Sequence, residues 1–183
     1  MDAFLVKYGA PTLAGLKTGS LFNLPCRSKQ ELGEAVALGN RRLNPKGLYV
    51  AVLRQDRDSA LILLYRRQEL EADLRQREAA ALLGQLGYRE ASLGGQLQEL
   101  RRRLAERGEF PHEIGLFLGY PPEDVRGFMA DCRGHNCKCS GCWKVYGDEA
   151  AARDRFRRYK QCTAIYCGLY LRGKSLTQLA VSA

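Results

Sequence analysis

No stretch of this sequence approaches the eighteen or so consecutive apolar residues that a membrane-spanning helix requires, so no membrane role is expected. The opening residues MDAFLVKYGAPTLAG have no positively charged lead, only a short apolar patch, and no small-residue cleavage site. A secretory signal is therefore not expected, and the cytoplasm is the expected compartment. Histidine is scarce: His112 and His135 are the only two, and no Cys-His-Asn or Cys-His-Asp nucleophilic arrangement stands out. A Walker A phosphate loop is missing as well. In APTLAGLKTGSLFNLP, Leu16 separates Gly15 from Lys17, and no glycine stands where that loop's first glycine belongs. Only a looser anion-binding role for Lys17, Thr18, Gly19 and Ser20 survives. Linkers, repeats and low-complexity segments are absent too, and the 183 residues are expected to form one domain.

Positive charge is plentiful. The net charge is +9 and the pI near 9.4, carried mainly by arginine in RRL (41–43), RRRL (101–104) and ARDRFRRYK (152–160). Such a balance favours acidic partners, nucleic acid among them. Solvated helix faces explain the same charge and are the favoured reading. If nucleic acid is a partner, Arg153, Arg157 and Lys160 would carry it, because they recur at i, i+4 and i+7 on one helix face.

Hydrophobic patterning predicts an α+β fold, with a small, mostly antiparallel sheet packed with several helices. GLYVAVLR (47–54) and ALILLYR (60–66) flank the polar turn QDRDS and read as a hairpin. Neither strand alternates cleanly, so both faces of the sheet are expected to be partly covered. CWKVY (142–146) reads as one more strand, with Cys142 and Lys144 on one face and Trp143 and Val145 on the other. The segment 10–25 reads as a helix leading into a strand, or as a loop with a strand behind it. Ser28 with Glu31 resembles a capping box, and Asp148 and Ser175 are expected to cap later helices. Leucine stripes over 67–107, including Leu93, Leu97, Leu100 and Leu104, read as packing faces. His112-Glu113 reads as a helix start rather than an acid–base pair.

Cysteine is unusually concentrated. Cys132, Cys137, Cys139 and Cys142 fall in DCRGHNCKCSGCWKVYGD beside the single tryptophan. In a reducing compartment an odd total of seven thiols argues against structural disulfides. The spacing fits neither a zinc ribbon of two C-x-x-C knuckles nor the plant-type ferredoxin order. Cys139 and Cys142 do form one such knuckle. Nearby Arg133, Lys138 and Lys144 would favour thiolates, so a reactive thiol is an open alternative. On a helix, Cys162 and Cys167 point about 140° apart and cannot both face one ion.

Three segments, APTLAGLKTGSLFNL, FPHEIGLFLGYPPEDVRGF and CSGCWKVYGDEAAARDRFRRYKQCTAIY, together closely resemble a bacterial family called domain of unknown function 3793. The resemblance runs from about Phe4 to Leu179, and the family is seen mainly in anaerobic, clostridia-like organisms. It implies a single-domain protein without bringing a reaction, a cofactor or a catalytic residue. In that family W-K-V-Y defines the third segment better than the thiols do, so a four-thiol zinc site does not follow from the resemblance.

The leading expectation is a metal or metal-ligand site at Cys132, Cys137, Cys139 and Cys142, with zinc or iron as the candidate ion and no established catalysis. The alternative is a thiol-dependent enzyme or small-anion-binding domain. Its pocket would join Lys17 and Thr18, His112 and Glu113, and Lys144 and Tyr146, bringing the three segments together. Either way the expected partner is a small ligand or metal ion of unassigned identity.

Overall fold

The structure is a computed structural model that describes residues 1–106, 110–131 and 133–182. Its elements in chain order are α1 (Asp2–Leu13), β1 (Gly19–Pro25), α2 (Lys29–Leu43), β2 (Leu48–Gln55), β3 (Ser59–Arg66), α3 (Arg67–Arg75), α4 (Arg77–Gln85), α5 (Leu93–Ala105), α6 (Ile114–Phe117), α7 (Pro122–Ala130), β4 (Cys139–Ser140), β5 (Lys144–Val145), α8 (Glu149–Leu171) and α9 (Leu176–Leu179). The fold is α+β, as the patterning predicts. The chain divides into two compact units, Met1–Leu70 with Tyr159–Ala183, and Glu71–Arg158. Among the described residues no helix is long and apolar enough to cross a membrane.

The first unit is built on a three-stranded antiparallel sheet in the order β1-β3-β2. The central strand SALILLYR is buried along nearly its whole length, which accounts for its unbroken apolar run. Ala60, Ile62 and Leu64 join a core with Leu5, Val6 and Leu13 of α1 and Phe22 and Leu24 of β1. A register shift between Val52 and Arg54 makes Leu53 a bulge, while the alternation of β2 is already broken at Val50 and Ala51, which are both buried. The segment at 10–25 resolves into a helix end, a turn at Gly15 and a strand. At the β2 edge of the sheet, the Asn40 side chain of α2 donates from Nδ2 to Val50 O at 2.9 Å and accepts at Oδ1 from Val50 N at 2.7 Å.

Helix ends follow the sequence closely. Ser28 accepts from Glu31 N at 3.2 Å, Asp148 from Ala151 N at 3.0 Å, and Ser175 forms a full capping box with Gln178. The apolar spacing of RQELEADLRQREAAALLGQL reads as one helix ended by Gly87, and the structure has two. After Leu74 the next buried positions are Ala79, Leu82 and Leu83. Ala79 lies five residues on, about 140° round a continuous helix. A break at Gln76 (ψ 137°) turns those residues inward again.

The second unit collects α4 to α7 and the short β4–β5 ribbon. Here one expectation is corrected. The strand at 142–146 does not extend the hairpin sheet: only Lys144–Val145 is extended, and its backbone pairs with Cys139–Ser140. The third strand of the main sheet is β1 instead. Leu93, Leu97, Leu100 and Leu104 form the buried stripe of α5, as their spacing predicts.

Candidate functional site

The β4–β5 ribbon turns tightly at Gly141–Trp143, where Gly141 N donates to Trp143 O at 3.0 Å. Trp143 is buried. Its ring stacks on Tyr120 at 4.7 Å between centroids and meets the edge of Phe156 of α8 at 4.6 Å. Gly141 lies so close to the Phe156 ring that a Cβ there would overlap it, so glycine is needed for this approach.

Behind the ribbon, Asp124 of α7 is 2% exposed. Its Oδ2 accepts from Trp143 Nε1 at 2.7 Å, and its Oδ1 accepts from the backbone N–H groups of Tyr146 and Gly147, each at 2.7 Å. One carboxylate thus aligns both the tryptophan and the chain leaving β5, and it uses both oxygens in doing so.

The space framed in this way is a cavity of about 410 Å³. Its apolar walls come from Phe110, Tyr120, Val125, Phe128 and Trp143. Its polar groups come from His112 and from Ser140, Cys142 and Lys144 of the ribbon. The His112 ring meets Phe128 edge-on at 4.8 Å. Lys144 Nζ sits 5.4 Å from the centroid of Phe128 and donates to Arg133 O at 2.7 Å. The lysine stem crosses Gly134, whose φ of +74° and lack of a side chain leave room for it. Asp131 holds the intervening turn, accepting from Gly134 N at 3.1 Å and Asn136 N at 2.7 Å. These backbone bonds, the one from Asn136 foremost, hold its carboxyl below the usual carboxylate range.

The residues singled out in the sequence are distributed unevenly around this cavity. His112 and Lys144 line it together. Their neighbours do not. Glu113 is 3% exposed and accepts from Tyr88 Oη at 3.1 Å, with Arg103 at 3.3 Å. Burial, reinforced by Glu113, pushes the Tyr88 phenol well above its ordinary value, so it stays a donor. Tyr146 donates from its hydroxyl to Asp131 O at 3.1 Å and presses its ring on Gly127, acting as a pin. Lys17 and Thr18 belong to the first unit, on the turn into β1. They are not among the described residues lining the cavity.

The thiols separate. Cys142 is exposed and lines the cavity on the side of Ser140 and Lys144. Cys139 pairs across the ribbon with fully buried Val145 and so faces the other way, near Arg153. Cys137 is half-buried, and Cys132 lies outside the described residues. Among the described residues, no group of three or more His, Cys, Asp or Glu side chains is arranged to hold a metal ion. Cys162 is buried, and burial raises its thiol pKa. On the basic face of α8, Arg153 is paired with Glu149 at 2.7 Å and Arg157 with Asp154, which uses up part of the charge a nucleic acid would meet.

Phe110, Tyr120, Asp124 and Phe128 were not singled out from the sequence, although all four lie in the FPHEIGLFLGYPPEDVRGF segment. Residues 5–180 match the family described as protein of unknown function (DUF3793). The chain belongs to that family. No curated protein and no solved structure matches it. The cavity therefore joins two of the three family-like segments, and the identity of the family brings no reaction with it.

Proposed function

We propose that the second unit is a small-molecule-binding module whose working part is the aromatic cavity between α7 and the β4–β5 ribbon, with Cys142 facing the bound molecule. The observation that carries this reading is the cavity itself. About 410 Å³ lies within the range of small-ligand sites, and its walls are aromatic with a few polar groups, three of them from the ribbon. Preorganisation supports it further, because Asp124 and the Tyr120–Trp143–Phe156 stack hold the ribbon in place before any ligand arrives. A metal reading of Cys132, Cys137, Cys139 and Cys142 has less support, since Cys139 shares a ribbon face with buried Val145 while Cys142 is exposed at the turn.

Alkylation of Cys142 by iodoacetamide, followed by peptide mass spectrometry, tests the reading. A neutral naphthyl alcohol filling the cavity is expected to slow alkylation of Cys142 while leaving Cys137 unaffected. Phe128→Ala is expected to weaken this protection about tenfold, the loss of one aromatic wall. Equal alkylation rates with and without the naphthyl alcohol would overturn the proposal.

A further inference from the structure

We infer that the ligand of this cavity is a flat aromatic acid, its ring against Phe128 and its acidic group bridging Ser140 and Lys144. The inference rests on the cavity being a ligand site and adds the chemistry of the ligand. Ser140 and Lys144 are direct cross-strand partners in the β4–β5 ribbon, and both line the cavity. Partners in that position carry their side chains on the same face, with Cβ atoms about 5 Å apart. A hydroxyl and an ammonium so placed match the two oxygens of a carboxylate or a similar oxyanion. Lys144 donates to Arg133 O, and an ammonium has two further N–H donors to offer.

Charge inside the cavity points the same way. Among the described residues its lining contains one carboxylate, Asp124, which is buried and already accepts from three donors. Nearby Asp131 is turned to the backbone amides of its own loop. Neither is left to attract a cation, so an aromatic cage for a quaternary ammonium is the disfavoured alternative despite the ring-rich walls. The ring position follows from Lys144. Its ammonium lies over the Phe128 ring, so an acid held there brings its own ring against Phe128 in the cavity that Trp143 also lines.

Calorimetric titration of the full chain with three probes that differ only in their head group tests this: a naphthoate, the corresponding naphthyl alcohol and the corresponding naphthyl trimethylammonium. The naphthoate is expected to bind about tenfold more tightly than the alcohol, a typical effect of one charge-assisted bond. The ammonium is expected to bind most weakly. Lys144→Met, which keeps the stem and removes the charge, is expected to bring the naphthoate down to the level of the alcohol. Ser140→Ala is expected to weaken the naphthoate alone, by a few-fold, and keeps the test standing if the lysine variant is unstable. Equal binding of naphthoate and alcohol, or tighter binding of the ammonium, overturns the inference and leaves the cavity reading intact. Binding of none of the three overturns both.

Discussion

Asp124 illustrates how much one side chain can organise. It is 2% exposed and accepts from an indole N–H and two backbone N–H groups, so its removal strands three donors at once. Asp124→Ala is expected to destabilise the second unit by about 3 kcal/mol, the scale of losing charge-assisted bonds at a buried site. A shift of Trp143 fluorescence to longer wavelength should accompany it in denaturant unfolding experiments, because the indole loses both its partner and its shelter. Nothing in the sequence marks this residue. PPED reads as a helix start with favourable acids in the first turn, and Glu123 and Asp124 look interchangeable there. Only the tertiary position of Trp143 separates an exposed acid from a buried one. The Cys142 and Lys144 pair is different. Alternation along CWKVY sets them apart from Trp143 and Val145, and burial follows it, with Trp143 and Val145 buried, Cys142 exposed and Lys144 half-buried, although Cys142, Trp143 and Lys144 all line the cavity.

Elements were legible where a local rule decides them. Ser28, Asp148 and Ser175 announce helix starts through their own hydrogen bonds, and the leucine spacing of α5 gives its buried face. Only half of the ribbon is legible: CWKVY reads as a strand and contains β5, whereas its partner Cys139–Ser140 is too short to leave a periodicity. The break between α3 and α4 was missed for a related reason: leucines and alanines continue through it, and only the angular jump from Leu74 to Ala79 reveals the change of face. The bonds from Gly134 and Asn136 to Asp131 carry an electrostatic prediction of their own. A carboxylate held below its ordinary value of 3.8 stabilises the folded turn at every pH above that value. Its contribution fades as the pH falls through the lowered value. Amide exchange at Gly134 and Asn136 is therefore expected to stay constant, after correction for intrinsic rates, from neutrality down to the ordinary carboxylate range and to accelerate below it. Asp131→Asn should show the faster exchange already at neutral pH.

Across the whole molecule, the two compact units differ in how they are held together. The first is closed by a buried arginine. Arg66 is 2% exposed and donates from Nε to Thr12 O at 2.7 Å, and from one terminal nitrogen to Leu13 O at 3.0 Å and Val181 O at 2.7 Å. It thereby ties the end of α1 and the segment after α9 to the central strand. The placement also sets a cation at the carbonyl end of a helix. Arg66→Met is expected to cost about 3 kcal/mol by stranding buried carbonyls, read as a lowered denaturation midpoint. The sequence shows this residue only as the polar end of a strand with Glu69 three positions on, since the carbonyls it binds lie 53, 54 and 115 positions away. Long-range partners of this kind are what a single sequence hides most completely. The second unit is tied instead by Asp124, which binds the chain leaving β5, and by Arg103, which pairs with buried Glu113 and donates to Leu86 O.

The cavity is where the account is most exposed to test, and the chain carries a built-in reporter, because Trp143 is its single tryptophan and lines the wall. Titration of the protein with a naphthoate, followed by Trp143 emission, is predicted to give saturable quenching at one site per chain that Phe128→Ala weakens about tenfold. Emission that stays unchanged up to the solubility limit of the probe, or quenching that rises linearly and is the same in the variant, would contradict the assignment of this cavity as a binding site.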